Sequence, residues 1–324
     1  MKRVKVKYGA RLVGELLAKD GIHYFSYDEE YLSNPLPLSP YQLPAVPGVT
    51  EHRNGHFLTL PSLCCDSLPD RFGMAVMRRS FREKGVNSPT PLQMLCYLGN
   101  RTMGALTYEP AEDDTDNLAS VDLVKAALSA KNLLEHEHGK ELDPAIVKAG
   151  GTAGGATPKL LAALSPDGSK ILTGSDDIPE GMEAWLIKLN TEDKQHASLI
   201  QLEHAYFAMA KAAGLRVPET RLLKDHSGMS HFAIQRFDRS LEDPNQRVHI
   251  QTYAALAGID FQEPTADYED LLRLTKDLTR NHEEVLEQFR RMVFNVLACN
   301  RDDHAKNFSF CMNKAGDWNL SPAY

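Results

Sequence analysis

No stretch of this sequence approaches the ~20 consecutive apolar residues that a membrane-spanning helix needs. Its opening, Met1-Lys2-Arg3-Val4-Lys5-Val6-Lys7-Tyr8, carries charge with no apolar run behind it, so a secretory signal is not expected. Cysteine is scarce: there are five, two of them adjacent at Cys64-Cys65, with no C-x-x-C spacing. That pattern argues against a paired disulfide framework and a thiolate zinc site. It predicts buried free thiols in a reducing compartment, hence a cytoplasmic protein with no membrane contact. Positive charge is also in short supply. A formal net charge of −8 argues against a generally basic surface, and so against nucleic acid as a direct partner. With 42% apolar and 25% charged residues in a chain of 324, an ordinary globular protein of two or three domains or lobes remains.

The polar turn Asn300-Arg301-Asp302-Asp303-His304-Ala305-Lys306-Asn307 lies between the apolar runs Val293-Phe294-Asn295-Val296-Leu297 and Phe308-Ser309-Phe310. Asp302 and Asn307 have the spacing that phosphoryl transfer requires. A carboxylate orients the attacking hydroxyl, and an Asn carbonyl oxygen nearby holds magnesium against the phosphates. Protein kinases use the same D-x-x-x-x-N spacing in their catalytic loop. A plain turn whose acids cap backbone amides is the competing explanation, and the match is weak by itself. Its density of ionisable and carboxamide side chains strengthens it. Asp303 and His304 are given a supporting role, aligning the turn through hydrogen bonds.

A glycine-rich segment, Gly150-Gly151-Thr152-Ala153-Gly154-Gly155-Ala156-Thr157-Pro158-Lys159, can bring backbone amides close to an anion, with Lys159 adding charge. It is neither G-x-x-x-x-G-K-[ST] nor a clean G-x-G-x-x-G, and a flexible loop explains it about as well. Its surroundings favour the phosphate role. Strands are expected at Lys159–Leu164 and Lys170–Thr173 around the turn Pro166-Asp167-Gly168-Ser169, then at Glu183–Leu189, where Lys188 can face inward. A helix over 197–213 carries Glu203, with Leu202, Tyr206, Met209 and Ala213 expected on its buried face. A strand lysine paired with a helix glutamate orders phosphate binding in kinases. Solvated roles are commoner for each of the two residues separately. Antiparallel strands at Thr220–Leu223 and His231–Phe237 and helices over 266–299 complete this part.

The first third reads as mixed α/β. Val4–Tyr8, His23–Tyr27 and Gly104–Tyr108 have strand patterns, and Pro69 and Pro91 open helical segments. Prolines 35, 37, 40, 44 and 47 mark an irregular stretch. The acidic run Glu109–Asp116 reads as a solvated linker, followed by a helix over 119–137. The expected units are residues 1–110, a connecting 111–149, a nucleotide-binding lobe at 150–239 and the start of a second lobe at 240–324.

In order, Leu68-Pro69-Asp70-Arg71-Phe72-Gly73, the glycine-rich loop ending in Pro158-Lys159, Gln235-Arg236-Phe237-Asp238-Arg239, Asp302-Asp303-His304-Ala305-Lys306-Asn307 and Leu320-Ser321-Pro322-Ala323-Tyr324 are similar to the motifs of HipA-type serine/threonine kinases. These are the toxin components of bacterial toxin–antitoxin pairs. The resemblance runs over essentially the whole chain. It implies an α+β, two-lobed protein-kinase-like fold with an additional N-terminal α/β subdomain and an incomplete helical C-lobe. It implies ATP and magnesium as cofactors, Asp302 as catalytic base and Asn307 as a magnesium ligand. Lys188, assisted by Lys159 and Glu203, would meet the ATP phosphates under the loop at Gly154, Gly155 and Ala156. Gln235 and Phe237 would meet adenine at the hinge, although the family often has Glu at the first of these.

Thr152 stands where the family has an autophosphorylated Ser, so the same inactivating switch is expected. The implied partners are a helix-turn-helix antitoxin, with nucleic acid reached only through it, and a protein acceptor such as an aminoacyl-tRNA synthetase. The family's last motif continues into a magnesium-binding Asp one residue beyond Tyr324, so a truncated chain is also implied. A non-catalytic antitoxin-binding module and a small-molecule or lipid kinase are the alternative functions.

Overall fold

A computed structural model describes residues 3–111, 118–135, 142–150, 157–175, 177–191, 198–263 and 265–324, without the side chains of Gly150 and Ser198. The N-terminal unit is built on an antiparallel sheet of β1 (Arg3–Tyr8), β2 (Arg11–Lys19), β3 (Ile22–Tyr27), β4 (Val49–His52) and β5 (Leu106–Glu109), in the order β4-β3-β2-β1-β5. Strand β1 shows why: Val4 and Val6 are buried while Lys5 between them is exposed, so one face seals a core. Gly14 on β2 is required by contact, because a Cβ there would lie 2.3 Å from the Ser26 carbonyl oxygen and 2.6 Å from the Phe25 ring. Helices α1 (Glu29–Ser33), α2 (Ser62–Cys65), α3 (Arg71–Glu83) and α4 (Pro91–Leu98) accompany this sheet. Thr90 and Gln93 form a capping box at α4, with Pro91 in its first turn.

The second sheet is antiparallel throughout, in the order β10-β11-β9-β7-β8-β6. Its strands are β6 (Ala119–Ser120), β7 (Lys159–Leu164), β8 (Ile171–Thr173), β9 (Glu183–Lys188), β10 (Thr220–Lys224) and β11 (Ser230–Gln235). The expected helix over 119–137 is therefore corrected at its start. Ala119–Ser120 pairs with β8, and α5 (Leu123–Leu134) begins only after Asp122 caps it. Packed on one face, α5 shares a core with Leu160, Trp185 and Ile187, and Phe72 and Val76 of α3 join that core.

Helix α6 (Ser198–Ala212) covers β11 and β10, and its expected buried face is also corrected. Leu202, Met209 and Ala213 are exposed, whereas Ile200 and Phe207 pack on Phe232 and Ile234. The helix is turned so that Glu203, three positions from Ile200 and four from Phe207, lies on the inner side. The apolar residues chosen from periodicity were real but marked the wrong phase.

The last part contains α7 (Tyr253–Ala257), α8 (Tyr268–Thr279) and α9 (His282–Leu297), together with a small sheet β12-β13-β14. These strands, His249–Thr252, Ser309–Met312 and Trp318–Leu320, were not expected as a separate sheet. Phe310, Met312, Trp318 and Leu320 belong to the same hydrophobic core as Val4, Leu16 and Leu38 of the N-terminal unit. Trp318 also donates its indole N–H to the Pro37 carbonyl at 3.1 Å. The cysteines are free, but Cys299 is exposed, so burial of every thiol was too broad an expectation. Among the described residues no helix is long and apolar enough to cross a membrane.

Candidate active site

Lys159 opens β7 and Lys188 closes β9, and the antiparallel register sets the two directly opposite each other. Such a pair shares one face of the sheet and repels. Phe232 on β11 is the next residue across from Lys188, and the Lys188 ammonium lies 6.0 Å from its ring centre. Helix α6 crosses this face and supplies the Glu203 carboxylate, which accepts a hydrogen bond from Lys188 Nζ. Lys159 is 5% exposed. Burial pushes its ammonium down to about 8, the Lys188 charge adds to that, and Asp70 and Glu203 act in the opposite direction. Sheltered adjacent cations with a depressed lysine suit an anionic ligand better than they suit stability.

The Asp302 turn follows α9. Tyr206 of α6 donates to the Ala298 carbonyl at 3.0 Å, tying the helix that bears Glu203 to the beginning of the turn. Asn300 Oδ1 accepts from the Asp302 backbone N–H at 3.0 Å, and Asn307 Nδ2 donates to the Asp302 carbonyl. The latter bond leaves the carboxamide oxygen of Asn307 as the end suited to a cation. Asp303 is held in place by the Tyr268 hydroxyl at 2.7 Å, and Asn295 donates to that same hydroxyl at 2.9 Å. His304 Nε2 is 3.7 Å from Asp302 Oδ1. The Asp302 side chain itself is 86% exposed, as a group that must reach an incoming hydroxyl would be.

At the end of β11, the Gln235 backbone N–H donates to the Glu219 carbonyl at 2.9 Å. Phe237 follows the strand with its ring centre 5.1 Å from that of Tyr324. Thr152, Gly154, Gly155 and Ala156 lie outside the described residues. A cavity of about 370 Å³ lined by residues including Tyr8, Arg247, Cys311 and Asn319 contains none of the candidate site residues.

Two acids without an assigned role in the sequence hold distant parts of the chain together. Asp238 is fully buried and receives Arg236 through both oxygens at 2.9 and 2.7 Å, Arg239 at 2.7 Å, and the Gly104 backbone N–H at 2.8 Å. Burial opposes its ionisation, but the guanidiniums prevail and hold the carboxyl well below the usual range. Asp70 accepts from Lys306 within the turn. Both acids lie inside motifs the sequence shows, and the arginines beside Asp238 are its neighbours in the chain, but Lys306 and the Gly104 amide are remote in sequence.

An antiparallel sheet carrying a lysine paired to a helix glutamate, followed by helices and a D-x-x-x-x-N turn, defines a protein-kinase-like fold. The chain belongs to the HipA-like family: residues 151–324 match its HipA-like C-terminal domain and residues 4–109 the HipA N-terminal domain. A Sinorhizobium fredii protein named "Putative kinase Y4dM" is 27% identical over 338 residues, covering 97% of this chain and 75% of that protein. A Haemophilus influenzae protein named "Putative kinase" is 30% identical over 148 residues, 42% of this chain and 43% of its own. Among solved structures, a chain of the Shewanella oneidensis MR-1 toxin–antitoxin complex of HipA, HipB and operator DNA matches with a TM-score of 0.69. That likeness covers 99% of this chain and 75% of the other at 19% identity, and is one of fold.

Proposed function

We propose that this protein is an ATP- and magnesium-dependent serine/threonine protein kinase that serves as the toxin of a toxin–antitoxin pair. The observation that carries the proposal is the Lys188–Glu203 pair on the sheet beside buried Lys159. Lys188 and Lys159 bind the ATP phosphates, the segment at Gly154, Gly155 and Ala156 covers them, and backbone groups at Gln235 and Phe237 receive the adenine. Asp302 orients the acceptor hydroxyl and takes its proton, with Asp303 and His304 steadying the turn.

The carboxamide oxygen of Asn307 is a hard donor of the type magnesium takes. Phosphate oxygens of a bound nucleotide would supply further donors. Bound there, magnesium would neutralise charge developing on the phosphates. A helix-turn-helix antitoxin is the proposed partner, as HipB accompanies the Shewanella HipA fold, and nucleic acid is contacted through it. The acceptor is a Ser or Thr of a cellular protein, an aminoacyl-tRNA synthetase being the first to try. Phosphate on Thr152 would add about two negative charges beside those of ATP and expel the loop.

The direct test is transfer of labelled γ-phosphate from ATP with magnesium to candidate acceptors, with mass spectrometry locating any label on Thr152. Label on protein supports the kinase; ATP binding without transfer to any protein would favour a binding module. Lys159 supplies an independent check. At pH 8.5 a lysine titrating near 8 is mostly neutral, and an arriving polyphosphate should recharge it. Nucleotide binding at pH 8.5 is therefore expected to take up about 0.7 proton, with little uptake at pH 6.5. Calorimetry in buffers of different ionisation enthalpy measures this, and Lys159→Met should remove the uptake. No difference between the two pH values would take Lys159 out of the phosphate site.

A further inference from the structure

Asp70 occupies the N-cap of α3, where an Asp side chain ordinarily accepts an amide of its own first turn. It makes no such bond. Its Oδ1 instead receives Lys306 Nζ, from 236 residues further along the chain. Lys306 immediately precedes Asn307, and its own carbonyl accepts from the Tyr324 hydroxyl at 3.1 Å. Its ammonium lies 4.8 Å from the centre of the Phe261 ring, and that ring is 5.4 Å from His304. The residue is thus held at both ends.

A second bond from the same N-terminal segment supports the turn from beneath. Asp66 accepts from the Thr252 backbone N–H at 2.7 Å and from its hydroxyl at 2.9 Å. Thr252 caps α7, and α7 packs on the short helical turn Ala305–Asn307. The Asp70 contact therefore ends on the segment that carries Asn307, and the Asp66 contacts end on the cap of the helix packed against that segment. The Asp70 and Lys306 side chains are 27% and 19% exposed, so their attraction is less screened than that of a surface pair.

We propose that Asp70 is a positioning residue of the phosphoryl-transfer site: through Lys306, the N-terminal unit sets the place of Asn307 and of the Asp302 turn. The assignment deepens the kinase reading and rests on it for its catalytic consequence. Asparagine at position 70 keeps the shape but loses the charge that holds the ammonium, whereas glutamate keeps the charge on a longer stem.

The test uses the full chain with Asp70→Asn, Asp70→Glu and Lys306→Met, read by amide hydrogen exchange and by transfer kinetics. In Asp70→Asn, amides of residues 302–307 should exchange about 10-fold faster while the global melting transition stays in place. For phosphate transfer, kcat should fall on the order of 10- to 100-fold with KM for ATP little changed. Asp70→Glu should recover part of both effects. Lys306→Met should reproduce them, and the double variant Asp70→Asn/Lys306→Met should add nothing further. Unaltered exchange in the turn overturns the proposal, as does unaltered kcat in a wild type that transfers phosphate. Faster exchange in a protein whose wild type transfers none supports the Asp70 contact and overturns the kinase reading instead.

Discussion

Replacing Asp238 with alanine is expected to lower the unfolding free energy by about 3–5 kcal/mol, the range for breaking a buried ion pair from one side. The substitution leaves the Arg236 and Arg239 guanidiniums, 4% and 1% exposed, without the carboxylate that faces them. It also removes the acceptor for the Gly104 N–H. That last bond joins the N-terminal unit to the segment after β11, so the loss is felt at a junction of the molecule. The sign of the pH dependence follows from the depressed carboxyl. Its stabilisation is fully present above the unfolded-state value near 4 and is lost as pH falls further toward the folded value. Asp238→Asn should show a similar loss at pH 7 and a flatter acid limb. The chain has two tryptophans, and Trp185 and Trp318 sit in different hydrophobic cores, so urea unfolding followed by fluorescence checks both sides at once. A loss below about 1 kcal/mol would assign the cluster the modest weight of surface pairs.

Asp302→Asn is expected to reduce phosphate transfer by about 10²–10⁴-fold, the range for a positioned general base. ATP affinity should change little, because the proposed phosphate contacts come from Lys188 and Lys159. Stability should also hold. The Asp302 carboxylate is exposed, and the bonds shaping the turn use its backbone N–H and carbonyl, which asparagine retains. The measurement pairs single-turnover transfer with nucleotide titration. Full transfer in the variant would remove Asp302 as the base; loss of binding in step with transfer would make it a ligand-holding residue.

Local patterns carried most of the architecture. Val4 and Val6 alternate with lysines, Thr90-Pro91 marks a helix start, and Asp167-Gly168 marks a hairpin, each through forces acting within a few residues. The Lys188–Glu203 pair was also legible, since strand and following helix are neighbours in the chain. Helix phase was not. Leu202 and Met209 look buried by composition, yet tertiary packing selected Ile200 and Phe207. Asp70 and Asp238 were hidden for a different reason. A short acid near a proline or an arginine satisfies local rules as a cap, turn or local ion-pair residue, while the contacts that tie it to other parts of the chain, to Lys306 and to Gly104, are 236 and 134 residues away. The strand Ala119–Ser120 was too short to show a period at all.

The bond from Trp318 to Pro37 spans 281 residues and sets a clock for biosynthesis. At the ribosome's ~5–20 residues per second, about 15–60 s pass between the appearance of the one and the other. From the synthesis of β5 at Glu109 until that of Phe310, the strands of the first sheet exist while Phe310, Trp318 and Leu320, which help seal its core, are still unmade. Nascent chains thus carry an unsealed apolar face for most of their synthesis, and a holding chaperone would find its substrate there before any folded enzyme exists.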